Sequence, residues 1–133
     1  MSVDYQAVHE SYDRCLKDET FFDTFYDLFL VKSSEIPPLF KDTDFRKQKQ
    51  VVRVSVLMMI RLGQGEPQTR EAIEKLGEIH SSRDRNIRPE LYDLWLNSLC
   101  ESVKQHDPEY TPELDQQWRD TMKPGIDLMI SMY

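Results

Sequence analysis

Leu76-Gly77-Glu78-Ile79-His80 closes a helical pattern that begins at Thr69 and sets Ala72, Ile73, Leu76 and Ile79 on one stripe, with the histidine close to it. A lone histidine at a helix end is ordinarily a capping or surface group. Its neutral imidazole is also a good metal ligand, so its role depends on what the rest of the chain places around it. Phe40 lies forty residues upstream of it, Gln48 thirty-two upstream, and Tyr26 a further fourteen before Phe40.

Working outward, Gly63-Gln64-Gly65-Glu66-Pro67 separates this helix from a long one before it. That helix carries Val51, Val52, Val54, Val56, Leu57, Met58, Met59 and Ile60, a nearly continuous apolar run that suits a central helix, capped by Asp42 or Asp44. Pro37-Pro38 fits only the first turn of a helix, so 36–41 reads as a brief helical corner with Phe40 pointing inward. Asp18-Glu19-Thr20 begins a very aromatic helix with Phe21, Phe22, Phe25, Tyr26 and Phe29. Before it, 3–16 forms a helix with Val8, Tyr12 and Cys15 on one face.

Downstream of His80, 81–86 is a polar connector, and Pro89 opens a helix carrying Leu91, Tyr92, Leu94, Trp95, Leu99 and Val103 as far as Asp107-Pro108. Thr111-Pro112-Glu113 starts the last helix, with Leu114, Trp118, Met122, Ile126, Met129 and Ile130 inward; Lys123-Pro124-Gly125 is expected to kink or interrupt it. With four glycines in all and no alternating run bounded by hairpin turns, the fold class is all-α, with residues 1–133 as one domain.

At 39% hydrophobic and 31% charged residues, the composition is that of a folded soluble protein and not of a disordered chain. A net charge of −7 argues against nucleic acid or an anionic membrane as partner. No stretch approaches the roughly 20 apolar residues of a spanning helix, and Met1-Ser2-Val3-Asp4-Tyr5 is too polar for a signal peptide; a cytoplasmic location follows by default. Cys15 and Cys100 suggest neither a disulfide framework nor a zinc site.

Thr24-Phe25-Tyr26-Asp27-Leu28-Phe29, Glu35-Ile36-Pro37-Pro38-Leu39-Phe40, Gln48, Leu76-Gly77-Glu78-Ile79-His80 and Ile87-Arg88-Pro89-Glu90-Leu91-Tyr92, in this order and spacing, resemble a bacterial single-domain globin over most of the chain. The resemblance implies the globin fold, about seven helices packed three-on-three around a haem pocket. It implies haem b with its iron, held non-covalently since C-x-x-C-H is absent. His80 matches the proximal ligand, with Nε2 toward iron and Nδ1–H toward a backbone carbonyl or a hydroxyl such as that of Ser81. Phe40 matches the corner phenylalanine that wedges the porphyrin, and Tyr26 the distal tyrosine. Gln48 matches the distal position of the central helix, with Gln50 as the alternative register. Val52 would then overlook the ligand, Leu76 the proximal face and Ile87 the porphyrin edge; Arg83, Arg85 and Arg88 are the cations available to the propionates. Tyr92, Trp95 and Leu99 read as back wall or core.

The function this implies is reversible binding of oxygen, or of nitric oxide, carbon monoxide or sulfide, with slow release because a phenol and an amide donate into an apolar pocket. Oxygen transport is one form of it. The alternatives are a gas sensor, a haem-free interaction module, or nitric oxide dioxygenation supplied by a separate reductase. Binding ranks above catalysis because Met122, four residues after Trp118, stands where flavohaemoglobin-like globins carry a tyrosine that polarises the proximal histidine, and a thioether cannot donate that bond. The connector from His80 to Tyr92 is about two residues longer than in the globins it resembles. Met132 and Tyr133 are available for a weak homodimer, with a monomer the other expectation.

Overall fold

The computed structural model describes residues 5–133, and these form seven α-helices with no strand among them. The polar start and Val3, the expected first residue of the first helix, lie outside the described residues. Helix α1 (Tyr5–Leu16) buries Val8, Ser11, Tyr12 and Cys15, which fall on one face through their three- and four-residue spacing. Helix α2 (Phe21–Phe29) starts later than Asp18. The Asp18 carboxylate instead accepts from the Thr20 backbone N–H at 2.9 Å and the Thr20 hydroxyl at 2.7 Å, a local turn that delays the helix until Phe21.

Helix α3 (Ile36–Leu39) is the short corner, with both prolines in its first turn and the Phe40 N–H donating to Pro37 O. Helix α4 (Phe45–Gly63) is capped by Asp44, which accepts from the Arg46 N–H at 3.0 Å. Its apolar run is less buried than expected: Val52, Val56, Met59 and Ile60 form the inner stripe, while Val51 and Val54 are 51% and 54% exposed. A helix with one covered face cannot bury consecutive residues, whatever their hydrophobicity.

Helix α5 (Pro67–His80) begins at Pro67, whose missing N–H costs nothing at the first helical position, and its covered stripe is Thr69, Ile73 and Gly77. Ala72 and Ile79 lie outside that stripe and are exposed. Helix α6 (Glu90–His106) ends at Asp107, and α7 (Pro112–Ser131) opens on Thr111, whose hydroxyl accepts from the Leu114 N–H at 3.0 Å. Of the kink or interruption expected at Lys123-Pro124-Gly125, the interruption does not occur, and α7 runs on through Pro124. Burial holds it there: Thr121, Met122, Gly125 and Ile126 flank the proline on the covered face, and a Cβ on Gly125 would stand 3.1 Å from Met59 Cγ, so the glycine lets α7 approach α4.

Helix α2 lies on α6, α4 packs on α5 and α7, α5 on α7, and α1 closes over α6 and α7. One buried polar node fixes that closure. The Ser11 hydroxyl donates to Asp107 at 2.6 Å and accepts from Trp118 Nε1 at 2.9 Å, while Arg14 donates to both Asp107 oxygens at 2.7 and 2.9 Å. Among the described residues no helix is long and apolar enough to cross a membrane. A cavity lies between α2, α4, α5, α6 and α7.

Candidate functional site

That cavity has a volume of about 540 Å³, within the range of roughly 300–1,000 Å³ usual for sites that enclose a small organic ligand. Helix α4 supplies one wall through Gln48, Val52, Ser55 and Met59, and the end of α5 supplies another through Leu76, Ile79 and His80. Tyr26 and Phe29 come from α2, Phe40 from the corner, Ile87 from the connector, Leu91, Tyr92 and Trp95 from α6, and Ile126 and Met129 from α7. Apart from Arg85 and the titratable His80, every lining side chain is uncharged.

His80 ends α5, and burial first, then the nearby Arg85 cation, lower its pKa to about 4, with Asp84 opposing in part. The imidazole is therefore neutral near pH 7 and keeps a lone pair for a metal. Its Nδ1 lies 3.2 Å from the hydroxyl of Tyr92. With Nδ1 protonated, that N–H donates to the phenol oxygen, and Nε2 is the free ligand atom. The hydroxyl that Nδ1 meets is that of Tyr92 and not that of Ser81, which donates to Glu78 O at 2.7 Å, back along α5. Met122, at the position where flavohaemoglobin-like globins carry a polarising tyrosine, is fully buried; the hydroxyl beside His80 is that of Tyr92, on a different helix. Tyr92 is thus more than back wall.

Across the cavity, Tyr26 is 4% exposed, and its ring meets Phe40 at 5.8 Å and Phe45 at 5.3 Å, both edge-on. Burial pushes its phenol up to about 12, against the opposing pull of a hydrogen bond with the Gln48 side chain. The phenol is consequently a neutral donor at any ordinary pH, with the Gln48 amide beside it. Gln50, the alternative register, is exposed and takes no part in the lining. Phe40 is half-buried, fixed between Phe29 at 6.2 Å and Phe45 at 5.7 Å.

The connector brings Ile87 back to the site despite its extra length. Asn86 takes a left-handed φ of 51°, its N–H donates to Ser81 O, and the Ile87 N–H donates to His80 O at 2.9 Å. The cation at the cavity is Arg85 and not Arg83, which is exposed and outside the lining, while Arg88 is drawn away into ion pairs with Glu35 and Glu90. Sequence reasoning thus brought Tyr26, Phe40, Gln48, Val52, Leu76, His80 and Ile87 to one cavity. It missed the contribution of Ile126 and Met129, which carried only a core signal, and the contact of Tyr92 with His80, which the length of the connector concealed.

A neutral imidazole and a phenol–amide donor pair, placed on the lining of an apolar cavity between helices, define the class of protein. The globin family model matches residues 22–126, and the chain belongs to the globin family. Among solved structures it is similar to PA3967 from Pseudomonas aeruginosa PAO1, described as structurally highly homologous to a human haemoglobin. The two share 37% identity over 97% of each chain, with a TM-score of 0.93. No curated protein matches the sequence. Family membership implies haem with its iron, and the cavity fits that group in size, in apolar lining and in the one neutral imidazole it offers.

Proposed function

We propose that this globin binds a small gaseous ligand reversibly, oxygen first, at haem b, with His80 as the proximal ligand and Tyr26 and Gln48 as the distal donors. When bound, the haem supplies an iron whose remaining coordination position can take a diatomic molecule. His80 offers Nε2 to that iron, and Tyr92 orients the ring by accepting from Nδ1. Phe40, Val52, Leu76 and Ile87 exclude water and hold the macrocycle by apolar contact. Tyr26 and Gln48 donate to a ligand that gains negative charge, and each such bond is worth about 1.5–3 kcal/mol in a dry pocket. Tight distal hydrogen bonding slows release, which suits storage, scavenging or ligand chemistry better than delivery.

The observation that carries this reading is the position of His80 in the cavity lining, neutral and bonded through Nδ1, in a pocket that also holds the donors Tyr26 and Gln48. The absorption spectrum of the purified chain with haem is the test. A Soret band is expected in the parent and a weakened or lost one in His80→Ala; a parent chain that takes up no haem would overturn the reading.

A further inference from the structure

We infer that the outer face of α4 docks an acidic electron-donor protein, a partner that returns oxidised haem iron to the ferrous state. The inference rests on the haem reading above and starts from a segregation of charge. Helix α4 carries Arg46, Lys47, Lys49, Arg53 and Arg61 and no carboxylate, whereas every other helix except the short α3 corner carries more carboxylates than lysines and arginines. The chain has a net charge of −7, so outside α4 it is more acidic than that total.

The basic face has an apolar centre. Lys47, Val54 and Arg61 recur at seven-residue spacing along one exposed stripe, with Val51 one turn before Val54, and Arg46 and Arg53 run along a parallel exposed stripe. Val51 and Val54 are the half-exposed valines of this helix, so cations border an apolar patch, the arrangement of a small protein interface. Asp42 and Asp44 precede the first turn of α4, and Asp23 pairs with Lys49; no residue of α4 itself offsets Arg53 or Arg61. An anionic membrane or a nucleic acid duplex is an extended array of charge and would also meet the acidic helices packed beside α4. A compact acidic protein can meet α4 alone, over an area at the low end for interfaces, as in weak electron-transfer encounters.

The opposite face of α4 is the distal wall, and Val51 belongs both to the exposed face and to the cavity lining. A partner seated here is separated from the cavity by one helix, about 10 Å. Oxygen binds ferrous iron, so each oxidised haem needs one electron. That electron leaves a reduced flavin or iron–sulfur cluster of the partner, which is oxidised by one electron, and no bond to this chain forms or breaks.

The test uses the full chain with haem, as the parent, as Arg46→Gln/Arg53→Gln/Arg61→Gln, and as Val54→Glu. Arg70→Gln/Lys75→Gln/Lys123→Gln, whose cations are exposed on α5 and α7, makes the same change in net charge elsewhere. Reduction of the ferric form is followed with a photoreduced plant-type [2Fe–2S] ferredoxin, an acidic one-electron donor, and with photoreduced lumiflavin, which is uncharged. The contact is mapped separately by amide chemical shifts of the ferrous carbon monoxide form on adding oxidised ferredoxin. Expected are ferredoxin rates about tenfold slower at low salt in the α4 triple variant and in Val54→Glu, converging on the parent's at high salt. The control triple variant should stay within about twofold of the parent. Lumiflavin rates should be the same in all four proteins, and the shift changes should centre on α4. Equal slowing in both triple variants, or shift changes centred on another element, overturns the proposal. So does binding to phosphatidylglycerol vesicles that is lost with the α4 arginines, which would reassign the face to a membrane. In each of these cases a Soret band in the parent leaves the haem reading standing; the absence of that band overturns both.

Discussion

The Nδ1 of His80 and the hydroxyl of Tyr92 stand 3.2 Å apart, which ties the last residue of α5 to the first turn of α6 across the connector. The ring of a ligating histidine is oriented by whatever its other nitrogen meets, and partners of this kind commonly change metal affinity about 10–100-fold when removed. In Tyr92→Phe the ring N–H loses its acceptor while the aromatic packing stays. Haem loss is expected to quicken about tenfold, with a lowered iron–histidine stretching frequency in the ferrous form. An unchanged frequency would show that the phenol does not act on His80.

The distal donors are separable from the proximal one. Oxygen dissociation is expected to accelerate about 10–100-fold in Tyr26→Phe, because a charge-assisted bond of about 1.5–3 kcal/mol is lost and each 1.4 kcal/mol is tenfold. Gln48→Leu should have a smaller effect of the same sign, since the phenol remains. Stopped-flow measurement of oxygen release decides it, and rates equal to the parent's in both variants would remove these residues from the mechanism.

Most of this architecture is legible in the sequence because its signals are local. Pro37-Pro38 dictates the corner, Asp44 the start of α4 and Thr111-Pro112 the start of α7, each through a bond or a missing N–H that needs no distant partner. Phe40, Gln48 and His80 then fall into one cavity because three rigid helices fix their separation. What the sequence does not disclose is decided by contacts between elements. Pro124 looks like a break, but α7 continues through it, packed on α4 where Gly125 meets Met59. Val51 and Val54 look like core, yet the covered face of α4 is set by where α7 and α5 lie. Tyr92 reaches His80 because Asn86 turns the connector back on itself, a φ of 51° that no periodicity announces.

At the end of α4, a Cβ on Gly63 would come 3.0 Å from the carbonyl oxygen of Thr121, a backbone atom on α7, and 2.8 Å from Tyr5 Cε1. The tyrosine can swing aside, but the carbonyl cannot without moving α7. Gly63→Ala should therefore cost about 1–3 kcal/mol in chemical denaturation, as overpacking does, outweighing the better helix propensity of alanine. A more stable variant would mean that the α4–α7 contact gives way easily.

Asp107, only 3% exposed, makes the fold sensitive to acid. Burial alone would raise its pKa, but the bonds from Arg14 and Ser11, with the backbone N–H of Glu109, overcome that and hold it below the usual carboxylate range. A carboxylate with a depressed folded pKa binds its proton more weakly folded than unfolded. Its stabilisation is therefore complete above the unfolded value of about 3.9 and is lost as pH falls through the folded one. Denaturation midpoints of the haem-free chain should fall between about pH 5 and pH 3, more steeply in the parent than in Asp107→Asn, whose amide does not titrate. At pH 7 the same variant leaves Arg14 facing a neutral group and, depending on the orientation of the amide, forces Ser11 to reverse its bond while Trp118 Nε1 still needs it as acceptor. A loss of roughly 3–5 kcal/mol is expected there, because the Asp107 side chain is fully buried. Equal pH slopes in the two proteins would assign the acid sensitivity to another carboxylate.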